Sequence, residues 1–442
     1  MPASLFYEYL LIDFKGARML RSIPALKTSV LAIVLFATLN VSFASGQPPE
    51  RWGETATDGS GLGLGDATTV TWGFISDGTA ITPAYSGEST DASDLVGFLD
   101  TNLGAGDGGS DLTNRPWFAV FDNIFDRWDA VSGLSFSYEA NDSGERIDGF
   151  VDPRGQLGVV ADVRIGGHSI DGQDGSNTLA YNYFPDHGDM VIDTDNVSFY
   201  SNNSDNYIGL RNVLAHEFGH GMGLPHVTTN NSKQLMEAFV NTSFDGPQID
   251  DIHQAQVRYG DNWEGNGGND TFSVATDLGI FDGNDMLFGA DANMGASVVE
   301  VNPNQVDFIS IDNNTDVDFL EITLDGIYDM SFALDMVGPT YDHDGDSSYS
   351  LANQSDLDMV LLASDGTTVL GDSDNSGLGV SEQINMVLPT GTYYIQIIGN
   401  NDATQFYQFG ASGFSAVPEP GSLLALGGLG ALLIGRRRRS AR

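Results

Sequence analysis

The sequence predicts an α+β chain in two parts, a mixed region with one sheet and three helices followed by an all-β sandwich. Helical periodicity recurs three times between residues 114 and 260, separated by segments that alternate as strands. Past Gly260 the helical pattern stops, and a stretch of roughly 145 residues carries only strand and turn signals. At 442 residues the chain has room for two domains.

Taken in order, the chain begins with an expected secretory signal over residues 1–44, whose start can be set at Met19. Arg21 and Lys27 form its basic end, residues 29–39 (SVLAIVLFATL) its apolar run, and Ser42 and Ala44 supply small residues at the cleavage positions. The run is too short to span a bilayer. Residues 45–66 are polar and Gly-rich and read as a flexible lead-in to a domain over residues 67–262. Residues 69–75 (TVTWGFI) alternate as a strand, and Asn114-Arg115-Pro116 opens a helix, with Pro116 suited to its first turn. Phe118, Phe121, Phe125 and Trp128 then line one helix face, which is expected in the core. Residues 134–138 (LSFSY) and 158–165 (GVVADVRI) read as further strands.

A Gly/Asp-rich loop follows over residues 166–195. Its Asp171, Asp189, Asp193 and Asp195 are candidate calcium ligands, because calcium takes many oxygen donors from irregular backbone. A solvated acidic loop is the competing reading.

Residues 207–220 form the next helix, with Leu210, Val213, Leu214 and Phe218 as its buried side. Its end reads His216-Glu217-Phe218-Gly219-His220-Gly221-Met222-Gly223-Leu224-Pro225-His226. Residues four apart on a helix lie about 6 Å from each other on one face, so His216 and His220 can point at one spot. Gly223 lets the backbone leave the helix through a conformation other residues resist, which brings His226 round as a third ligand. Three imidazoles with a fourth position open is the catalytic arrangement of zinc. Glu217 sits where its carboxylate can reach a water there. The chain has seven His, and three of them fall in this window. Met236 follows His226 by ten residues, and Asp250-Asp251-Ile252 starts a last helix.

Composition narrows the partners. With 61 acidic against 18 basic residues the formal charge is −43, and half of the basic residues lie in the two terminal segments. Nothing here could neutralise phosphates, so nucleic acid is not an expected partner. There is no cysteine, which excludes disulfides and thiolate ligands.

These residues resemble the metzincin metalloproteases, and among them the matrixins (matrix metalloproteinases). The extended His motif, Leu235-Met236, the segment from Asp250-Asp251-Ile252 to Arg258-Tyr259-Gly260, and residues 121–136 (FDNIFDRWDAVSGLSF) carry the likeness in order. It implies a twisted sheet with three helices, zinc on His216, His220 and His226, and Met236 in a Met-turn beneath them. It also implies hydrolysis of protein or peptide substrates by a zinc-activated water, with Glu217 as general base, and structural calcium. Matrixins hold a second zinc, but of its ligands only His168 and Asp171 match, with Tyr181 and Val191 standing where His is expected. That second zinc is therefore expected to be missing.

Residues 263–270 read as a linker. Residues 271–415 resemble the bacterial pre-peptidase C-terminal domain, a β-sandwich, through Asp316-Val317-Asp318-Phe319, Asp356-Leu357-Asp358 and residues 388–394 (LPTGTYY). Asp342, Asp344 and Asp346 alternate in a tight turn and read as a solvated turn or a calcium loop. Residues 416–442, with Pro418-Glu419-Pro420, an apolar stretch and four Arg, resemble a PEP-CTERM sorting tail. The tail implies sorting and processing machinery, transient membrane contact and an extracellular or cell-envelope location, with a permanent anchor as the alternative. The competing function is a surface adhesion or matrix protein with a vestigial zinc site, its sandwich being the binding part.

Overall fold

The computed structural model describes residues 50–149, 154–172, 174, 178–265, 267–295, 297–375 and 377–416. The expected signal lies outside these residues, as does the sorting tail beyond Ala416. Among the described residues no helix is long and apolar enough to cross a membrane.

Strand β1, Thr68–Phe74, is buried along nearly its whole length, as a central strand should be. Four more strands complete its sheet: β2, Leu134–Tyr138; β3, Val163–His168; β4, Ala180–Asn182; and β5, Met190–Asp193. The order is β2-β1-β3-β5-β4, parallel throughout except for the short edge strand β4. Helix α1, Phe118–Asp129, lays the expected aromatic face on this sheet. Trp72 stacks on Phe125 at 4.4 Å and on Phe118 at 5.4 Å between ring centroids.

Helix α2, Ile208–Gly221, carries the His motif and is buried on every side from Leu210 onward. A helix with no exposed face lies inside a domain, and its polar residues Arg211, Asn212, His216, Glu217 and His220 are buried with the rest. Phe218 fixes its position, meeting Phe125 of α1 at 4.9 Å and Phe136 of β2 at 5.1 Å. Helix α3, Ile249–Tyr259, opens with a capping box between Gln248 and Asp251.

The lead-in corrects an expectation. Its described part is docked, because Trp52 is buried and its indole donates to the Gly221 carbonyl at 2.9 Å. Glycine content suggested mobility, whereas one aromatic anchor decides the outcome.

The C-terminal strands are β6, Thr276–Phe281; β7, Met286–Phe288; β8, Ile309–Ile311; β9, Val317–Leu324; β10, Tyr328–Met336; β11, Thr340–His343; β12, Asp346–Ser350; β13, Leu357–Leu362; β14, Val369–Ser373; β15, Glu382–Leu388; β16, Gly391–Gly399; and β17, Gln405–Ser415. Two sheets form, β8-β17-β10-β15 with β7 on β17, and β14-β13-β16-β9-β6, while β11 and β12 make a separate hairpin. Inward residues of both sheets, among them Leu320, Phe332, Ile395 and Phe409, share one core. This is the expected sandwich. Val301, Phe308, Val337 and Phe406 from this part pack instead into the core containing Trp128 and Phe218. The segment read as a linker holds a helical turn, Asn262–Gly265, and its Trp263 packs on the sandwich core.

Candidate metal centre

Helical spacing places His216 and His220 on one side of α2, and the chain then turns sharply. Gly223 has φ +100°, and a Cβ there would lie 2.1 Å from the Glu50 carbonyl oxygen. Conformation and space thus both require glycine. The turn delivers His226, and one ligand nitrogen from each of the three rings falls within 4.8 Å of the others. Beneath them Met236 is buried against Gly219, where a Cβ would meet its Sδ at 2.4 Å.

The ring nitrogens are already sorted. Nδ1 of His216 donates to the Leu235 carbonyl and Nδ1 of His220 to the Leu224 carbonyl, each at 2.7 Å. A carbonyl can only accept, so Nε2 of both rings keeps its lone pair. Nε2 of His216 lies 3.2 Å from Nε2 of His226. Two nitrogens about 2.0–2.1 Å from one tetrahedral zinc are about 3.3 Å apart, so the spacing fits the ion. Nε2 of His220 is buried without a hydrogen-bond partner, the orphan a metal would satisfy. Burial holds the His216 imidazole well below its usual range, His220 at about 3 and His226 at about 4. Neutral rings are what metal ligation needs.

Glu217 is also buried, and its Oε2 has no hydrogen-bond partner. Burial pushes its carboxyl up to about 8. The group has been desolvated without being used to hold the fold.

Residues 108–260 match the matrixin family model. This segment is a matrixin domain. The family is zinc-dependent and supports a metallopeptidase acting on peptide substrates. Residues 416–439 match the PEP-CTERM protein-sorting motif, which indicates export to the cell envelope or beyond, through sorting machinery. No curated protein matches the chain. Among solved structures the sandwich region is similar to the pre-peptidase C-terminal domain of collagenase from Bacillus anthracis, at 11% identity over 31% of this chain and 94% of that one, with a TM-score of 0.19. The K3 cleaved adhesin domain of Lys-gingipain from Porphyromonas gingivalis w83 is similar at 14% identity over 29% of this chain and 89% of that one, with a TM-score of 0.15. Neither likeness bears on activity.

Elsewhere in the matched segment, His168 and Tyr181 converge on Glu88, which precedes that segment. His168 Nε2 is 2.8 Å from Glu88 Oε1, and the Tyr181 hydroxyl donates to the same oxygen at 2.9 Å. A carboxylate from 80 residues upstream is thus the partner of His168. Val191 lies in the adjoining apolar cluster.

The four candidate calcium residues divide, and one of them, Asp195, accepts from the Ser169 hydroxyl. Asp189 faces Arg164, accepting from its backbone N–H at 2.9 Å. Asp193 accepts from the N–H groups of Ile170 and Asp195, each at 3.1 Å, and Asp171 accepts from Thr178 N–H at 3.1 Å. Burial first, then the charges of Asp171 and Asp195, lift Asp193 to about 6.

A second carboxylate group was not anticipated. Glu264, Asp316 and Asp318 bring one oxygen each within 4.8 Å of the others. Oε1 of Glu264 and Oδ1 of Asp318 are buried without a hydrogen-bond partner. Burial, with neighbouring acids, raises Asp316 to about 7 and lifts Glu264 and Asp318 well up. Asp316-Val317-Asp318 alternates as a strand should, and only the fold shows that Glu264 faces it.

In the Asp-Gly turn Asp344 is exposed, as a solvated turn requires, while Asp342 is buried. They accept from backbone N–H groups of Asn230 and Thr228.

Proposed function

We propose that the chain is an exported zinc endopeptidase, with His216, His220 and His226 as ligands and Glu217 as general base. One observation supports it above the rest: a buried carboxylate with an unpaired oxygen stands next to three converging imidazoles. A binding or vestigial site has no use for such an acid, since a desolvated carboxylate costs stability unless it is compensated.

When bound, zinc supplies a Lewis acid and lowers the pKa of a water toward about 7. The Leu224 and Leu235 carbonyls keep two ligand rings in the tautomer that presents Nε2. Glu217 takes the proton of the attacking water and hands it to the departing amine. The burial that raises its pKa in the metal-free protein is opposed by a nearby dication, which favours the ionised base. Edge strand β4 pairs only with β5 among the described strands, so an extended peptide can add beside it. Phe184, just past that strand, lies 5.4 Å from the His220 ring. Calcium is proposed for the Glu264, Asp316 and Asp318 group, where it would offset like charges, and for the loop of Asp171, Asp193 and Asp195.

The test uses the full chain. The parent should cleave casein and lose that activity to a chelator. Glu217→Gln should keep one zinc per chain while cleavage falls by about 100-fold or more. Cleavage by Glu217→Gln at the parent's rate would overturn the assignment.

A further inference from the structure

The loop carrying the third ligand is held from two sides. Each backbone N–H of residues 227–230 has a protein acceptor, although Thr228 and Asn230 are exposed and could have used water instead. Val227 N–H donates to the Met236 carbonyl at 3.0 Å and Thr229 N–H to Glu237 Oε1 at 2.9 Å, both within the matrixin domain. The alternate groups point the other way. Thr228 N–H donates to Asp344 Oδ1 at 3.1 Å and Asn230 N–H to Asp342 Oδ2 at 2.8 Å. Both acceptors stand on the hairpin of β11 and β12, over 100 residues downstream.

The hairpin is built to project. Asp344 and Gly345, between its strands, have φ +44° and +88°, the paired positive values of a tight two-residue turn. Its strands also grip the start of α3. Tyr341 hydroxyl donates to Asp250 Oδ1 at 2.6 Å, and His343 Nδ1 lies 2.8 Å from the same oxygen. The next residue, Asp251, accepts from Leu235 N–H at 2.7 Å and from Met236 N–H at 3.1 Å. Leu235 in turn orients His216 through its carbonyl. A cavity of about 100 Å³ lies between the two parts, lined by His226, Met236, Asp250, His343 and Asp344 among others.

The geometry points to the hairpin as a positioning element of the metal centre, with Asp342 and Asp344 as positioning residues for the loop of His226. The sandwich that supplies it is then a working part of the peptidase rather than a passenger. This rests on the zinc reading above and extends it. A charged acceptor on a backbone N–H is among the stronger hydrogen bonds. Two of them, two residues apart, fix the strand-like path that starts at the ligand. Without them the loop is held on one side, and metal binding must order it at the cost of affinity.

The experiment measures zinc affinity of the metal-free full chain by competition with a chromophoric chelator, together with the visible spectrum of the cobalt-substituted protein. Asp342→Ala with Asp344→Ala should weaken zinc binding about 10–100-fold, as loss of groups orienting a ligand does, and alter the cobalt bands. Asp342→Asn with Asp344→Asn keeps an oxygen acceptor at each position and should stay within about threefold of the parent. Asp344→Ala alone, an exposed position, should shift affinity in the same direction and decides the matter if the double variant does not fold. Parent-like affinity and spectrum in the folded alanine variants would overturn the proposal, as would asparagine variants as weak as the alanine ones. A parent that binds no zinc would sink the zinc reading and this proposal together. A parent that binds zinc but leaves casein intact would sink only the peptidase reading, because the affinity measurement does not depend on turnover.

Discussion

Gly223→Ala is the sharpest single test of how the third ligand is delivered. The residue sits at φ +100°, which costs a side-chain-bearing residue about 1–3 kcal/mol. Its new Cβ would also stand 2.1 Å from the carbonyl oxygen and 2.7 Å from the carbonyl carbon of Glu50. Both are backbone atoms that cannot rotate away, so overpacking adds about 1–3 kcal/mol. Moving Glu50 breaks the hydrogen bond its carbonyl accepts from Arg258 Nε at 3.0 Å. The expected loss is about 2–6 kcal/mol, read by urea unfolding of the metal-free protein, with weaker zinc binding alongside. A chain beginning at Arg51 lacks the clashing carbonyl. In that background the same substitution should cost only the conformational part, about 1–3 kcal/mol. A loss below about 0.5 kcal/mol in the longer chain, with unchanged zinc affinity, would refute the reasoning.

Phe218→Ala removes the ring wedged between Phe125 and Phe136, and should cost about 3–5 kcal/mol by thermal or urea unfolding. Calcium should raise the melting temperature more at pH 8 than at pH 5. Asp316 is raised to about 7 and its neighbour Asp312, outside the three-carboxylate group, to about 8, with Glu264 and Asp318 also raised, so the metal-free fold favours the protonated carboxyls. Their stabilising contribution is full below the unfolded value near 4 and is lost as pH rises through about 7–8. Calcium needs the ionised forms, and at 100 times its dissociation constant it would restore about 2.7 kcal/mol. An increment at pH 5 equal to that at pH 8 would count against calcium at this group.

The sequence made legible whatever is local and periodic. The His motif could be read because helical spacing alone aligns His216 with His220, and because Gly223 marks the exit. The aromatic face of α1 and the strand Leu134–Tyr138 were equally plain. Strand Tyr328–Met336 was missed although its buried residues alternate, because Asp329, Ser331 and Asp335 on its other face interrupt any apolar run. The remaining misses are long-range pairings. Nothing near Glu88 announces His168, nothing near Trp52 announces Gly221, and nothing in the Asp-Gly turn at residue 344 announces the backbone of Thr228. Such contacts depend on how the chain packs, which no window of sequence contains.

The central claim is that three imidazoles share one metal with a fourth position left open beside Glu217. Zinc-edge X-ray absorption on the zinc-loaded full chain addresses it directly. The expected spectrum fits three imidazole nitrogens at about 2.0–2.1 Å and one further light atom, and His226→Ala should remove one imidazole shell. A first shell with fewer than three imidazoles, or one that His226→Ala leaves untouched, would contradict the account.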